Sequence, residues 1–233
     1  MQKLIFISGA GLSAESGLST FRNSNGLWNN FNIMDVCYLP NFYKNYIIVN
    51  DFYDQRRMQL GNVEPNYAHL SIAELSKRSD IDVINITTNI DDLLERAGVK
   101  NVLHLHGKLK EVIINYETGK EKIIDIGYVK SPLDNMDLYP IKPNVVFFGE
   151  EAPHYNQMYD VLSKLKIDDT IVVIGSSEQV IEFTYLIKYK YKFKGKYIFV
   201  NTDPALCNKM KKQYYLSDVY EMSATEFFKT YNF

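Results

Sequence analysis

The sequence predicts an α/β fold: a Rossmann-like parallel sheet with helices on both faces, plus a small domain made from two insertions, one helical and one hairpin-like. Three observations predict it. Short, nearly uninterrupted apolar runs recur at residues 3–8, 82–87, 102–106, 144–148, 170–175 and 196–201, and several are rich in Val and Ile, the pattern of strands buried on both faces. Helix-like segments lie between many of them, as a parallel sheet requires of its crossovers. Two stretches, 23–65 and 108–143, break this alternation and read as excursions from the core.

The first run ends at Ser8 and leads into Gly9-Ala10-Gly11-Leu12-Ser13-Ala14-Glu15-Ser16-Gly17. Glycines there let a backbone turn tightly and approach a pyrophosphate, with a following helix offering its N-terminal N–H groups. The third glycine falls too late for the ordinary dinucleotide fingerprint, so a plain strand–turn–helix corner stays open as an alternative. Within 23–65, amphipathic stretches at 42–49 and 51–60 predict helices. Residues 67–77 bring Ala68, Ile72, Ala73 and Leu75 near one helical face, and 91–97 turns Leu93 and Leu94 inward. In 108–143, residues 111–116 and 120–126 flank Glu117-Thr118-Gly119, a hairpin signal, with Ile113, Ile123 and Ile126 as its expected apolar pegs. The chain then reads as one domain, 1–233, whose core is 1–22, 66–107 and 144–233.

Composition narrows the function classes. Of 233 residues, 46% are apolar and 23% charged, with a formal net charge of −2, so no overall basic field recruits nucleic acid. The Lys-rich stretch 188–196 alternates with Tyr and Phe and reads as a solvated face. Cys37 and Cys207 are too few and too far apart for a disulfide framework or a metal knot. No apolar run approaches the ~18 residues of a membrane span, and the opening residues are too short for a signal-peptide core. A cytoplasmic protein without membrane or nucleic-acid partners is expected.

Continued by Phe21-Arg22 and Gly26-Leu27-Trp28, residues 9–17 closely resemble the cofactor-binding segment of the sirtuin family. Further similar pieces follow in family order: Thr88-Asn89-Ile90-Asp91 with Glu95-Arg96-Ala97-Gly98, then Leu105-His106-Gly107, then Pro143-Asn144-Val145-Val146-Phe147-Phe148-Gly149-Glu150, then Gly175-Ser176-Ser177 with Val180 and Asn201. The resemblance implies an enzyme that consumes NAD to remove acyl groups from protein lysines, giving nicotinamide, O-acyl-ADP-ribose and free lysine. Two other activities are carried beside it: an NAD glycohydrolase, and a non-catalytic NAD-sensing module.

The resemblance also implies roles. Gly9, Ala10, Gly11, Gly175, Ser176 and Ser177 would cradle the pyrophosphate and adenosine half, with Glu15 and Ser16 in the same turn. Asn201, Thr202 and Asp203 would meet the adenosine ribose. Phe21 and Arg22 would close over the nicotinamide ribose, and Trp28 belongs to that loop or to the core. Thr88, Asn89, Ile90 and Asp91 would hold the ribose and nicotinamide, with Asn89 and Asp91 straining the glycosidic bond. His106 would be the general base, a task suited to an unperturbed pKa of ~6.5. His104 and His69 are expected to be structural. Acylated lysine peptides would bind as an added strand between 146–150 and 178–181, through Val146, Phe148, Gly149 and Val180.

Two departures matter. Most sirtuins carry four zinc-binding cysteines after the catalytic histidine, whereas 107–143 here contains neither Cys nor His, so no zinc is expected. Thr88 also replaces the family's Gln, shortening a ribose contact. Finally, Phe52-Tyr53-Asp54-Gln55-Arg56-Arg57 is similar to the acyl-pocket helix of sirtuins that prefer acidic acyl groups. Tyr53 and Arg56, at i and i+3, would share a helix face and bind a succinyl or malonyl carboxylate, with Ala14 beside them and acetyl as a side activity. Arg57, one position round the helix, is expected to be neutral.

Overall fold

The structure, a computed structural model, describes residues 1–19, 31–216 and 218–233. Strands β1 (Gln2–Ser8), β2 (Ile81–Thr87) and β3 (Val102–His104) precede an excursion formed by β4 (Gly107–Ile114), β5 (Lys122–Asp125) and β6 (Lys142–Val145). Strands β7 (Thr170–Ile174), β8 (Lys196–Asn201) and β9 (Asp218–Glu221) then complete a parallel sheet in the order β3-β2-β1-β7-β8-β9. Strand order reverses between β1 and β7. In a doubly wound sheet the crevice outside that switch point receives the ligand.

Alternation along β1 explains its apolar run. Leu4 and Phe6 join one apolar layer with Val172, Ile174, Ile198 and Val200; Ile5 and Ile7 join the opposite layer with Ile171, Val173 and Phe199. Helices α1 (Ile33–Val36) and α2 (Tyr46–Leu60) lie in the first excursion. Of the rest, α3 (Tyr67–Leu75) and α8 (Ala224–Thr230) cover the first layer, while α5 (Tyr155–Ser163), α6 (Phe183–Tyr185) and α7 (Pro204–Gln213) cover the second. Helix α4 (Leu93–Ala97) buries Leu93 and Leu94, as their phase predicts. No helix among the described residues is long and apolar enough to cross a membrane.

Several expected elements come out differently. The stretches 42–49 and 51–60 give one helix, α2, which begins at Tyr46 and runs unbroken through residue 50, leaving 42–45 as a turn. Two 3₁₀ turns, Ala10–Leu12 and Ala14–Ser16, take the place of a regular helix after the glycines. The run 144–148 does not enter the parallel sheet: β6 pairs antiparallel with β4. Beyond β6, backbone bonds tie Val146 to His106, and Phe148 to Cys37 and Leu39. The hairpin forms as β4–β5, and Ile126 packs in it as expected, but Val112 and Ile114, with Ile141 and the half-buried Ile124, take the place of Ile113 and Ile123. Ile123 is 60% exposed, because neighbouring strand residues face opposite sides.

The small sheet is fastened to α2 by Arg57. Contrary to the expectation of a neutral position, its side chain is fully buried. Its guanidinium pairs with Asp54, and its Nε donates to the Leu109 carbonyl at 2.7 Å. Asp54 in turn accepts the Ser131 backbone N–H at 2.9 Å and its hydroxyl at 2.7 Å. One buried ion pair thus joins α2, β4 and the loop after β5.

Candidate active site

A cavity of about 760 Å³ opens at the carboxyl ends of β1, β2, β7 and β8 and extends to the β6 turn. Most of the expected residues that the structure describes line it: Gly9, Ala10, Gly11, Ala14, Glu15, Tyr53, Arg56, Thr88, Asn89, Ile90, Asp91, His106, Val146, Phe148, Gly149, Gly175, Ser176, Ser177, Val180, Asn201, Thr202 and Asp203. Ser16 does not line it. Phe21, Arg22 and Trp28 lie outside the described residues.

The glycines are needed for backbone contact between two turns. A Cβ on Gly11 would lie 2.6 Å from the Gly175 Cα, and one on Gly175, whose φ is +64°, would lie 2.5 Å from the Leu12 nitrogen. This close packing brings the β1 and β7 turns together at the switch point. The N–H groups of Ala10, Ser176 and Ser177 have no acceptor among the described residues, a donor set suited to an anion.

Other expected cofactor residues spend their polar groups on the protein. Glu15 accepts from the Thr225 N–H at 2.9 Å and from the Ser223 hydroxyl at 3.1 Å, tying the first turn to the start of α8. The Asn201 amide donates to the Ser176 carbonyl at 2.7 Å. Asp203 caps α7 through the Ala205 N–H at 2.9 Å. The Thr88 hydroxyl turns onto the Ser8 carbonyl at 3.3 Å.

At the centre, Ser13 organises Asn89 and Asp91. Its hydroxyl donates to Asp91 Oδ2 at 2.9 Å and accepts from the Asn89 amide at 3.2 Å. His69 stands behind it: Nδ1 accepts the Asn66 N–H at 3.2 Å, so the ring proton sits on Nε2, 3.4 Å from Ser13 Oγ. Burial lowers the His69 pKa to about 4, which keeps that ring neutral. Burial raises the Asp91 pKa, against the bonds from Ser13 and the Leu93 N–H. His104 is structural in geometry: Nδ1 meets the Asn89 carbonyl at 2.9 Å and Nε2 meets Glu95 at 2.8 Å, fixing the Asn89 loop to α4.

His106 stands on the turn between β3 and β4. Its Nε2 lies 2.9 Å from the Tyr155 hydroxyl. Burial lowers its pKa below the usual 6.5, and a bond to the Thr88 backbone opposes the shift. A neutral imidazole at neutral pH is the state a general base needs.

On the far wall, Tyr53 is buried, stacks on Phe147 with ring centroids 5.6 Å apart, and has its hydroxyl 3.4 Å from Cys37 Sγ. Arg56 lies over the Phe52 ring at 4.0 Å, and burial lowers its pKa to about 10. It therefore stays a cation at neutral pH in a poorly solvated place. Behind the β6 turn, Lys142 Nζ pairs with Glu150 at 3.0 Å, and Glu150 also accepts the Phe147 N–H at 2.6 Å. Among the described residues, no group of three or more His, Cys, Asp or Glu side chains is arranged to hold a metal.

Ser13, Cys37, His69 and Tyr155 are the parts of this site that the sequence did not single out as site residues. Their contacts within the site join residues 16 to 78 positions apart in the chain, which a local pattern does not reveal.

The Sir2 family model matches residues 9–182. The chain is 44% identical over 207 residues to the NAD-dependent protein deacylase of Helicobacter hepaticus, covering 81% of this chain and 80% of that protein. It is 43% identical over 186 residues to the protein of the same description from Campylobacter jejuni, covering 78% and 76%. A mutant Sir2 homologue solved in complex with ADP-ribose superposes with a TM-score of 0.81 at 30% identity, covering 97% of this chain and 88% of that one.

Proposed function

Because the chain belongs to the Sir2 family, we propose that it is an NAD-dependent protein-lysine deacylase with a preference for acidic acyl groups. The observation that carries the reading is one cavity lined at once by the glycine turns, by Asn89, Asp91 and His106, and by the Tyr53–Arg56 wall. The N–H donors of Ala10, Ser176 and Ser177 suit the NAD pyrophosphate. Asn89 and Asp91, braced by Ser13, would orient the nicotinamide ribose. The acyl oxygen would attack ribose C1′ as nicotinamide leaves. His106 would then accept a ribose hydroxyl proton, so that the ribose oxygen attacks the imidate carbon; a water adds as the C–N bond to lysine breaks, giving O-acyl-ADP-ribose and free lysine.

The acyl peptide would lie between the β6 turn and residues 179–181. Phe148 already commits its N–H and carbonyl to Cys37 and Leu39. Added-strand bonds would therefore fall on Gly149 and on 179–181, whose backbone groups have no backbone partner among the described residues.

Incubating the protein with NAD, with and without acylated peptide, tests the reading. Nicotinamide release that needs the peptide supports the deacylase. Release without peptide would make it an NAD glycohydrolase, and no release would leave an NAD-binding module. The acyl preference rests on Arg56, whose charge-assisted bond to a terminal carboxylate would contribute ~1.5–3 kcal/mol. Arg56→Met should lower kcat/KM for succinyl-lysine by roughly one to two decades and leave acetyl-lysine unchanged or improved. Equal losses on both substrates would sink the acidic-acyl preference. We further expect no structural zinc: Val112, Ile114 and Ile141 pack the small sheet, and Arg57 fastens it. A chelator should leave the melting temperature unchanged, and one zinc per purified chain would contradict this.

A further inference from the structure

We propose that Lys142 is a positioning residue for substrate: its ammonium pins the Glu150 side chain inside the 147–150 turn, which then offers the Gly149 backbone to an acyl peptide. The inference rests on the deacylase reading, in which that turn is one side of the peptide site. It starts from a cation that is 1% exposed and still finds its acceptors. An ammonium has three donors and no acceptor. Lys142 Nζ meets Glu150 Oε2 at 3.0 Å, the Val145 carbonyl at 2.8 Å and the Pro143 carbonyl at 3.4 Å. It also lies over the Phe147 ring, 4.0 Å from the centroid, and 5.6 Å from that of Tyr116, and ring faces attract a cation.

Glu150 is the other half of the device. Its Oε2 accepts the Phe147 N–H at 2.6 Å and its Oε1 the Tyr116 hydroxyl at 3.3 Å, while its own N–H returns to the Phe147 carbonyl at 3.0 Å. Residues 147–150 thus close on themselves, with Gly149 at the positive φ, +92°, that a type II turn places third. The backbone groups of Phe148 are spent on Cys37 and Leu39. Those of Gly149, on the cavity wall, have no backbone partner among the described residues. Lys142 decides where the Glu150 carboxylate rests. That side chain is 16% exposed, close enough to the surface to reach water. Without a cation beside it, a carboxylate so poorly hydrated turns out to solvent, and the Phe147 N–H loses its acceptor. The turn then closes on one backbone bond, and the Gly149 groups lose their fixed direction.

The test is Lys142→Met, which keeps most of the stem and removes the charge. Binding of a fluorescein-labelled peptide carrying one succinyl-lysine is read by anisotropy, without turnover. It should weaken about tenfold, the equivalent of one hydrogen bond. An acetyl-lysine peptide should weaken equally, because the backbone contacts are common to both, whereas Arg56→Met separates the two acyl groups. NAD affinity, by calorimetry, should stay within about twofold. In turnover, KM for peptide should rise about tenfold with kcat within about threefold, a split that general damage to the fold would not produce. Lys142→Arg keeps a cation able to pair with Glu150 and lie over Phe147, and should bind peptide within about threefold of the natural protein. Should Lys142→Met fail to fold, its combination with Glu150→Gln buries no lone charge and should show the same loss of peptide affinity. Unchanged peptide affinity in a folded variant without the Lys142 charge would overturn the proposal, as would a matching loss of NAD affinity. A natural protein that binds neither acyl peptide would defeat the deacylase reading and this role with it. Equal binding by the natural protein and the variant would defeat the role of Lys142 alone.

Discussion

Replacing His106 by alanine is expected to cut peptide-dependent nicotinamide release by about 10²–10⁴-fold, the usual contribution of a general base. The fold should survive, because among the described residues the ring's hydrogen bond is to the Tyr155 hydroxyl. The backbone carbonyl of residue 106, which accepts the Val146 N–H at 3.0 Å, is kept in the variant. NAD binding should persist as well, since the glycine turns and the Ser13–Asn89–Asp91 network are untouched. Turnover with acyl peptide is the measurement, with NAD affinity and melting temperature as companions. Natural turnover in this variant would remove His106 from the mechanism.

Arg57→Met is expected to be the most damaging single change to stability among the residues discussed. It removes one partner of a buried ion pair and leaves the Asp54 carboxylate, itself buried, without its cation. Such a loss typically costs about 3–5 kcal/mol. At about 2–4 °C per kcal/mol for a chain of this size, the melting temperature should fall by roughly 6–20 °C. Pairing it with Asp54→Leu should recover part of the loss, because an apolar pair no longer buries a lone charge. A melting temperature unchanged by Arg57→Met would mean that the small sheet is held by its apolar cluster alone. The contrast with Arg56→Met is the useful one: adjacent arginines, one expected to change substrate choice and the other the melting temperature.

Much of the site was legible because its residues lie in short contiguous segments. Thr88-Asn89-Ile90-Asp91, Leu105-His106-Gly107 and Gly175-Ser176-Ser177 each follow a strand of the parallel sheet. Once those strands are recognised, their carboxyl ends must converge. Strand β9 escaped notice because Asp218–Glu221 is short and polar, with no apolar run. It becomes a strand only through its pairing with β8. The Ser13–His69 and His106–Tyr155 contacts span 56 and 49 residues, beyond the reach of any local pattern.

The sequence alone determined the alternation of buried strands and helices, the position of the glycine turns, the hairpin in the second excursion and the family. Each of these depends on residues near one another in the chain: period, turn chemistry and contiguous motif. The tertiary structure decided which face of a segment meets what. Arg56 and Arg57 are chemically identical neighbours on one helix, about 100° apart around its axis at 3.6 residues per turn. Only the packing of β4 and residues 129–131 against α2 buries Arg57 on Asp54 and leaves Arg56 on the cavity wall. Ile123 and Ile124 are separated in the same way, by the side of the small sheet that each must face.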